Sequence, residues 1–178
     1  MRGPVHEGFA EQYNPDPQPG LVVPRQPPEP VEELPPEVKP EGDNVIWLEG
    51  YWAWDDERED FVWLSGIWRQ VPPGMRWLPG YWVETDGGWQ WISGTWIDET
   101  VDEVEYLPEP PQTLELGPVG DPLSEQHLWI PGTWLYQTNR YVWRPGHWSV
   151  GYTNRVWVPA RYVWTPRGCI YVAGYWDY

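Results

Sequence analysis

The chain has 178 residues, a formal charge of −16 and a single cysteine. It holds no intrachain disulfide framework, and its negative field repels phosphate backbones, which excludes nucleic acid as the main partner. Seventeen Trp and eleven Tyr stand against two Phe and two Met, far from the Leu, Ile and Val of an ordinary core.

Residues 1–42 contain eleven Pro, which removes backbone donors and holds the chain extended, partly as polyproline II. Two readings stay open for this Pro-rich tail. It is a solvated leader, or Leu21-Val22-Val23-Pro24 and the prolines after it lie along an aromatic groove of the same chain, as Pro-rich ligands do on their receptors. Nothing after Met1-Arg2 has the apolar segment of a signal peptide.

Residues 43–97 carry the unit W-x-x-G-x-W, starting at Trp47, Trp63, Trp77 and Trp91 with spacings of 16, 14 and 14 residues. Turn-forming residues separate the copies: Asp55–Asp60, Val71-Pro72-Pro73-Gly74 and Thr85-Asp86-Gly87-Gly88. The spacing predicts a strand and a tight turn per copy, a meander of hairpins. Pro and Gly in the middle of the units exclude helix.

Residues 98–127 are acidic and Pro-rich and read as an extended linker. In residues 128–178 the unit resumes at Trp129 and Trp143, then degenerates to Trp157-Val158-Pro159-Ala160-Arg161-Tyr162 and Tyr171-Val172-Ala173-Gly174-Tyr175-Trp176. Copies two, three and four of the two blocks lie 80 residues apart, the mark of a duplicated block. The expected fold is all-β: about eight Trp-rich antiparallel strands in two four-stranded sheets, facing as a sandwich or closing into an irregular barrel. Charge divides along the same line. Up to His127 there are six Lys or Arg against 26 Asp or Glu; beyond it there are five Arg against Asp177 alone.

The first and sixth positions of a unit differ in parity, so a regular strand sends Trp77 and Trp82 to opposite faces. A β-bulge at the Pro-Gly or Ser-Gly pair returns both rings to one face. Glycine at the fourth position then serves a backbone angle that other residues resist, and leaves room for a neighbouring indole. The aromatic rows expected to bind are Trp63, Trp68, Trp77, Trp82, Trp91, Trp96, Trp129, Trp134, Trp143 and Trp148. Aliphatics such as Ile46 and Leu48, Leu128 and Ile130, or Ile170 and Val172 flank the leading aromatics and give the sheet a second apolar face.

Little points to chemistry. His6, His127 and His147 are scattered without metal-ligand spacing, no cofactor fingerprint occurs, and no acid/base pair stands at a recognisable distance. Cys169 reads as a packed thiol. The acidic turn Asp55–Asp60 lacks the order of an EF-hand loop and reads as a hairpin tip rather than a Ca²⁺ site.

Trp77-Leu78-Pro79-Gly80-Tyr81-Trp82 and Trp129-Ile130-Pro131-Gly132-Thr133-Trp134 make the chain resemble the W-x-x-G-x-W (YXWGXW-type) repeat proteins of bacteria, in particular the planctomycete envelope type. The resemblance covers residues 47–97 and 129–176. It implies an envelope, periplasmic or extracellular location if the chain is part of a longer precursor, and no catalytic residues. The function expected from residues and resemblance together is a non-catalytic structural or protein-interaction module. Its Trp and Tyr surfaces grip Pro-rich or extended segments, from a protein partner or from the chain's own tail. Glycan binding through indole faces is the alternative.

Overall fold

The computed structural model describes residues 15–178 of the chain. His6 and the start of the expected tail lie outside the described residues. Among those described there are seventeen strands and no helix.

Each W-x-x-G-x-W copy forms two short strands, not one. The first copy supplies β2 (Val45–Leu48) and β3 (Tyr51–Asp55), the second β4 (Asp60–Leu64) and β5 (Ile67–Gln70). β3 pairs with β4 across the Asp55–Asp60 turn, and β2 pairs with β5. Two successive copies thus make one hairpin whose ladder is interrupted halfway. The second hairpin comprises β6 (Met75–Leu78), β7 (Tyr81–Thr85), β8 (Gly88–Ile92) and β9 (Thr95–Asp98). The third comprises β10 (His127–Ile130), β11 (Thr133–Gln137), β12 (Arg140–Arg144) and β13 (His147–Val150). The fourth comprises β14 (Val156–Val158), β15 (Arg161–Thr165), β16 (Gly168–Val172) and β17 (Tyr175–Asp177). In each, inner pairs with inner and outer with outer; β1 (Val22–Val23) adds a third strand beside β8.

All-β and antiparallel hold, but the expected pair of four-stranded sheets is replaced by seven two-stranded sheets and one three-stranded sheet among the described residues, with no closed barrel. The reason lies at the third and fourth positions of the motif. Leu48 pairs with Ile67 and Tyr51 with Leu64, leaving Glu49-Gly50 facing Ser65-Gly66 outside the ladder. A bulge sets two residues against one; here two face two. The registers on either side then bring Trp47 opposite Trp68 and Trp52 opposite Trp63. The backbone angle expected of the motif glycines is also corrected. Positive φ occurs at turn glycines such as Gly74 (73°) and Gly88 (133°), and at no fourth-position glycine. At the tip of the third hairpin Thr138 and Asn139 have φ of 50° and 59°, as a two-residue turn that follows the twist of its strands requires.

The core is mainly aliphatic. Leu48, Ile92, Ile130 and Val172, each following the leading aromatic of its copy, are buried, whereas Trp96 is the one tryptophan among the buried hydrophobic residues. Most indoles are half-buried. The chain divides into two compact units. Of the described residues, one holds Gly20–Val71 with Trp77–Thr95; the other holds residues 15–19, Pro72–Arg76 and Trp96–Tyr178. Each contains an extended strap, residues 20–40 or 104–120, laid along hairpins of its own unit.

Candidate functional site

At the interruption of each hairpin the leading indole of one copy lies over the fourth-position glycine of the other. A Cβ added to Gly80 would stand 2.6 Å from Cζ2 of Trp91, and one on Gly50 would stand 2.7 Å from Cζ2 of Trp63. Gly66 under Trp47, Gly94 under Trp77, Gly132 under Trp143, Gly146 under Trp129 and Gly174 under Trp157 are tighter still. Only a residue without Cβ fits beneath an indole at that distance. The rings flank this window as edge-to-face pairs: Trp52 and Trp63 at 5.3 Å, Trp129 and Trp148 at 5.5 Å, Trp134 and Trp143 at 5.2 Å. Such pairs add about 0.5–1.5 kcal/mol each beyond their burial.

The chain belongs to the WXXGXW repeat family. The family described as WXXGXW repeat (2 copies) matches residues 42–69, 73–96, 127–149 and 156–177, more than half of the chain. Each matched segment corresponds to one hairpin, so two copies are also the structural unit. No curated protein and no solved structure matches the chain.

Both WXXGXW blocks hold a strap in the same way. In the first unit Val23, 1% exposed, pairs with Trp89 of β8, and Gln90 Nε2 donates to the Gly20 carbonyl at 2.8 Å. Farther along, Arg25 meets Asp60 at 3.1 Å, and Trp52 Nε1 donates to the Glu29 carbonyl at 2.9 Å. In the second unit Leu107 pairs with Cys169 of β16 through two 2.8 Å backbone hydrogen bonds and enters a buried cluster with Tyr162. The Tyr141 hydroxyl donates to the Pro108 carbonyl, and Trp134 Nε1 donates to the Gln112 carbonyl at 3.0 Å. Trp148 Nε1 reaches the Val119 carbonyl at 3.1 Å, near the end of the strap.

Between these anchors a glutamate drops into the window. Gly66 N–H donates to Glu33 Oε2 at 2.7 Å. The same role falls to Glu115 in the third WXXGXW hairpin: Oε1 accepts from Trp129 Nε1 at 2.9 Å and Oε2 from Gly132 N–H at 2.5 Å. The Gly66 N–H, with the Ser65 side chain, holds the Glu33 carboxyl below its ordinary value. Hydrogen bonds to an ionised acceptor are the strong kind.

The ten Trp singled out by sequence take different places. Trp129, Trp134 and Trp148 bond to the second strap, Trp143 covers Gly132, Trp63 covers Gly50 beside Glu33, and Trp68 takes Lys39 Nζ at 5.5 Å from its ring centroid. Trp77 and Trp91 wall a cavity of about 280 Å³ over Gly80 and Gly94. Trp82 instead ties hairpins together, its Nε1 donating to the Trp52 carbonyl at 2.8 Å and its ring packing on Phe61. Trp96 is 4% exposed and belongs to the core.

Sequence reasoning missed Glu33, Glu115 and Trp52. A signal was present: Val23-Pro24 and Leu107-Pro108 lie 84 residues apart, Pro27-Pro28 and Pro110-Pro111 83, and Glu33-Leu34 and Glu115-Leu116 82. The duplicated segment therefore includes the straps.

Elsewhere the polar groups are structural. Asp55 accepts from the backbone of Glu57 and Arg58 and closes the hairpin tip. Among the described residues no group of three His, Cys, Asp or Glu is placed to hold a metal. His127 Nδ1 meets the Ser124 hydroxyl at 2.9 Å, and His147 is exposed. Burial and, second, Glu109 push the Cys169 thiol up to about 11.

Proposed function

We propose that the protein is a non-catalytic interaction module whose WXXGXW hairpins grip extended, proline-rich, acidic segments. The observation that carries this is the repeated docking in the two units. An indole N–H takes a strap carbonyl (Trp52 to Glu29, Trp134 to Gln112), and a glycine N–H takes a strap carboxylate (Gly66 to Glu33, Gly132 to Glu115). Prolines keep such a segment extended before it binds, so little conformational entropy is lost on docking. Backbone carbonyls and one carboxylate are read, with an apolar anchor before a proline in each case.

The test is to replace Glu33 and Glu115 by Gln, singly and together, and follow the indole N–H resonances of Trp52 and Trp134. Release of the strap shifts each resonance toward its solvent-exposed position in the matching single variant. Resonances unmoved in both would show that the carboxylates do not hold the straps, and the reading would fail.

A further inference from the structure

In the second hairpin the glycine window is built like those of the first and third, but among the described residues no strap lies in it. Gly80 and Gly94 stand side by side under Trp91 and Trp77, with the same tight approach of indole to bare backbone that surrounds Glu33 and Glu115 in the first and third hairpins. In place of a strap there is the cavity of about 280 Å³, whose wall is completed within the same unit by Trp47 and Tyr51. Tyr51 is stacked on Trp91 at 4.5 Å and 13°, which holds the cavity mouth in shape. The volume lies just below the range of sites for whole small molecules, about 300–1,000 Å³, and suits one side chain with its flanking backbone.

The donors on hand are those that read a carboxylate elsewhere in the chain. Gly80 is the counterpart of Gly132, whose N–H donates to Glu115, and Gly94 of Gly66, whose N–H donates to Glu33. Trp47, on the cavity wall, carries a buried indole N–H without an acceptor among the described residues. Its counterpart Trp129 gives that N–H to Glu115.

Resting on the strap-gripping reading above, we propose that this cavity is a binding site in trans. Its occupant is a glutamate side chain of an extended, proline-rich peptide supplied by a partner protein, seated over Gly80 and Gly94 as Glu33 and Glu115 are seated in cis. Glu49 stands on the rim and is exposed. Its charge opposes an arriving carboxylate weakly, and salt screens it over a Debye length of about 8 Å. A ligand that instead donates hydrogen bonds, such as a sugar, would gain from the same Glu49, and this sets the sign of the decisive test.

The probe is a synthetic peptide with the sequence of residues 106–119, added to the full chain while the backbone amides of Gly80, Gly94 and Gly132 are followed by NMR. The expected result is saturable movement of the Gly80 and Gly94 amides. The peptide with Glu115→Gln should bind about tenfold or more weakly, as loss of a charge-assisted hydrogen bond requires. The chain with Glu49→Gln should bind the unaltered peptide about two- to fivefold more tightly, the size of one exposed charge interaction. Gly80 and Gly94 unmoved at millimolar peptide, movement confined to Gly132, equal affinity for the Glu and Gln peptides, or weaker binding after Glu49→Gln would each overturn the proposal. The strap reading stands or falls separately on Glu33→Gln and Glu115→Gln within the chain. If those variants release the straps while the peptide leaves Gly80 and Gly94 unmoved, only the trans site is lost.

Discussion

Ala160 stands beside Tyr171 at the register position that Gly132 holds beside Trp143. It is the one fourth-position residue that is not glycine, and it faces the one leading aromatic that is not tryptophan. A phenol ring lacks the outer edge of the indole that presses on the glycines of the other hairpins, so a methyl group fits. Tyr171→Trp alone should therefore cost about 1–3 kcal/mol through overpacking. Adding Ala160→Gly should recover most of that loss, a coupling that a double-mutant cycle by chemical denaturation measures directly. Strictly additive effects would show that ring and methyl do not meet.

Acid should loosen the first strap. The Glu33 carboxyl sits below its ordinary value of 4.5 because the Gly66 N–H stabilises the charged form. A carboxyl lowered in the folded state contributes its stability in full above the unfolded value and loses it as pH falls through the folded one. The Trp52 indole N–H, bonded to the strap at Glu29, should move toward its free position in an NMR titration downward from pH 5, and Glu33→Gln should remove that pH dependence.

Base should act on the tyrosines. Burial pushes Tyr51 and Tyr141 up to about 12, and for Tyr141 the neighbouring Cys169 adds to the effect. A phenol raised in the folded state contributes stability that is whole below its unfolded value, about 10, and is lost as pH rises through the folded one. Absorbance at 295 nm should show a late ionisation step near pH 12 from Tyr51 and Tyr141. That step should coincide with loss of the β-sheet signal, because the Tyr141 hydroxyl that holds Pro108 is then deprotonated.

Cys169 should be inert. It is 1% exposed and its thiol is pushed up to about 11, so the reactive thiolate is scarce at neutral pH. Ellman's reagent at pH 8 should leave the native chain unmodified and react fully in denaturant. Rapid reaction of the native chain would show that the Leu107 pairing opens readily.

Two tryptophans at sixth positions should separate core from surface. Trp96→Ala should cost roughly 3–5 kcal/mol, as for a fully buried ring. Trp148→Ala, at a half-buried ring bonded to the strap at Val119, should cost less and release the end of the second strap. Equal losses in thermal or chemical unfolding would contradict the aliphatic core.

The hairpins were legible because what specifies them is local. Turn residues such as Asp55–Asp60 and Asp86-Gly87 and the recurring Trp and Gly act over a few residues. The number of strands was not legible. Parity demanded a correction at positions three and four, and a one-sided bulge and a two-against-two break both meet that demand. Which side became the core was equally hidden, since Leu48 and Trp47 are both apolar and only packing decided that Leu48 is buried while Trp47 is half-buried.

By itself, then, the amino-acid sequence determined an all-β chain of paired Trp-Gly repeats, because its spacing and its turns act on neighbouring residues. The tertiary structure alone decided which acids matter. Glu33 and Glu115 are two among 27 Asp and Glu, marked in the sequence only by the 82-residue spacing of their Glu-Leu pairs. They are selected by hydrogen bonds to Gly66, 33 residues away, and to Gly132, 17 residues away. Those contacts exist only once the glycine windows have formed and the prolines have laid each strap across them.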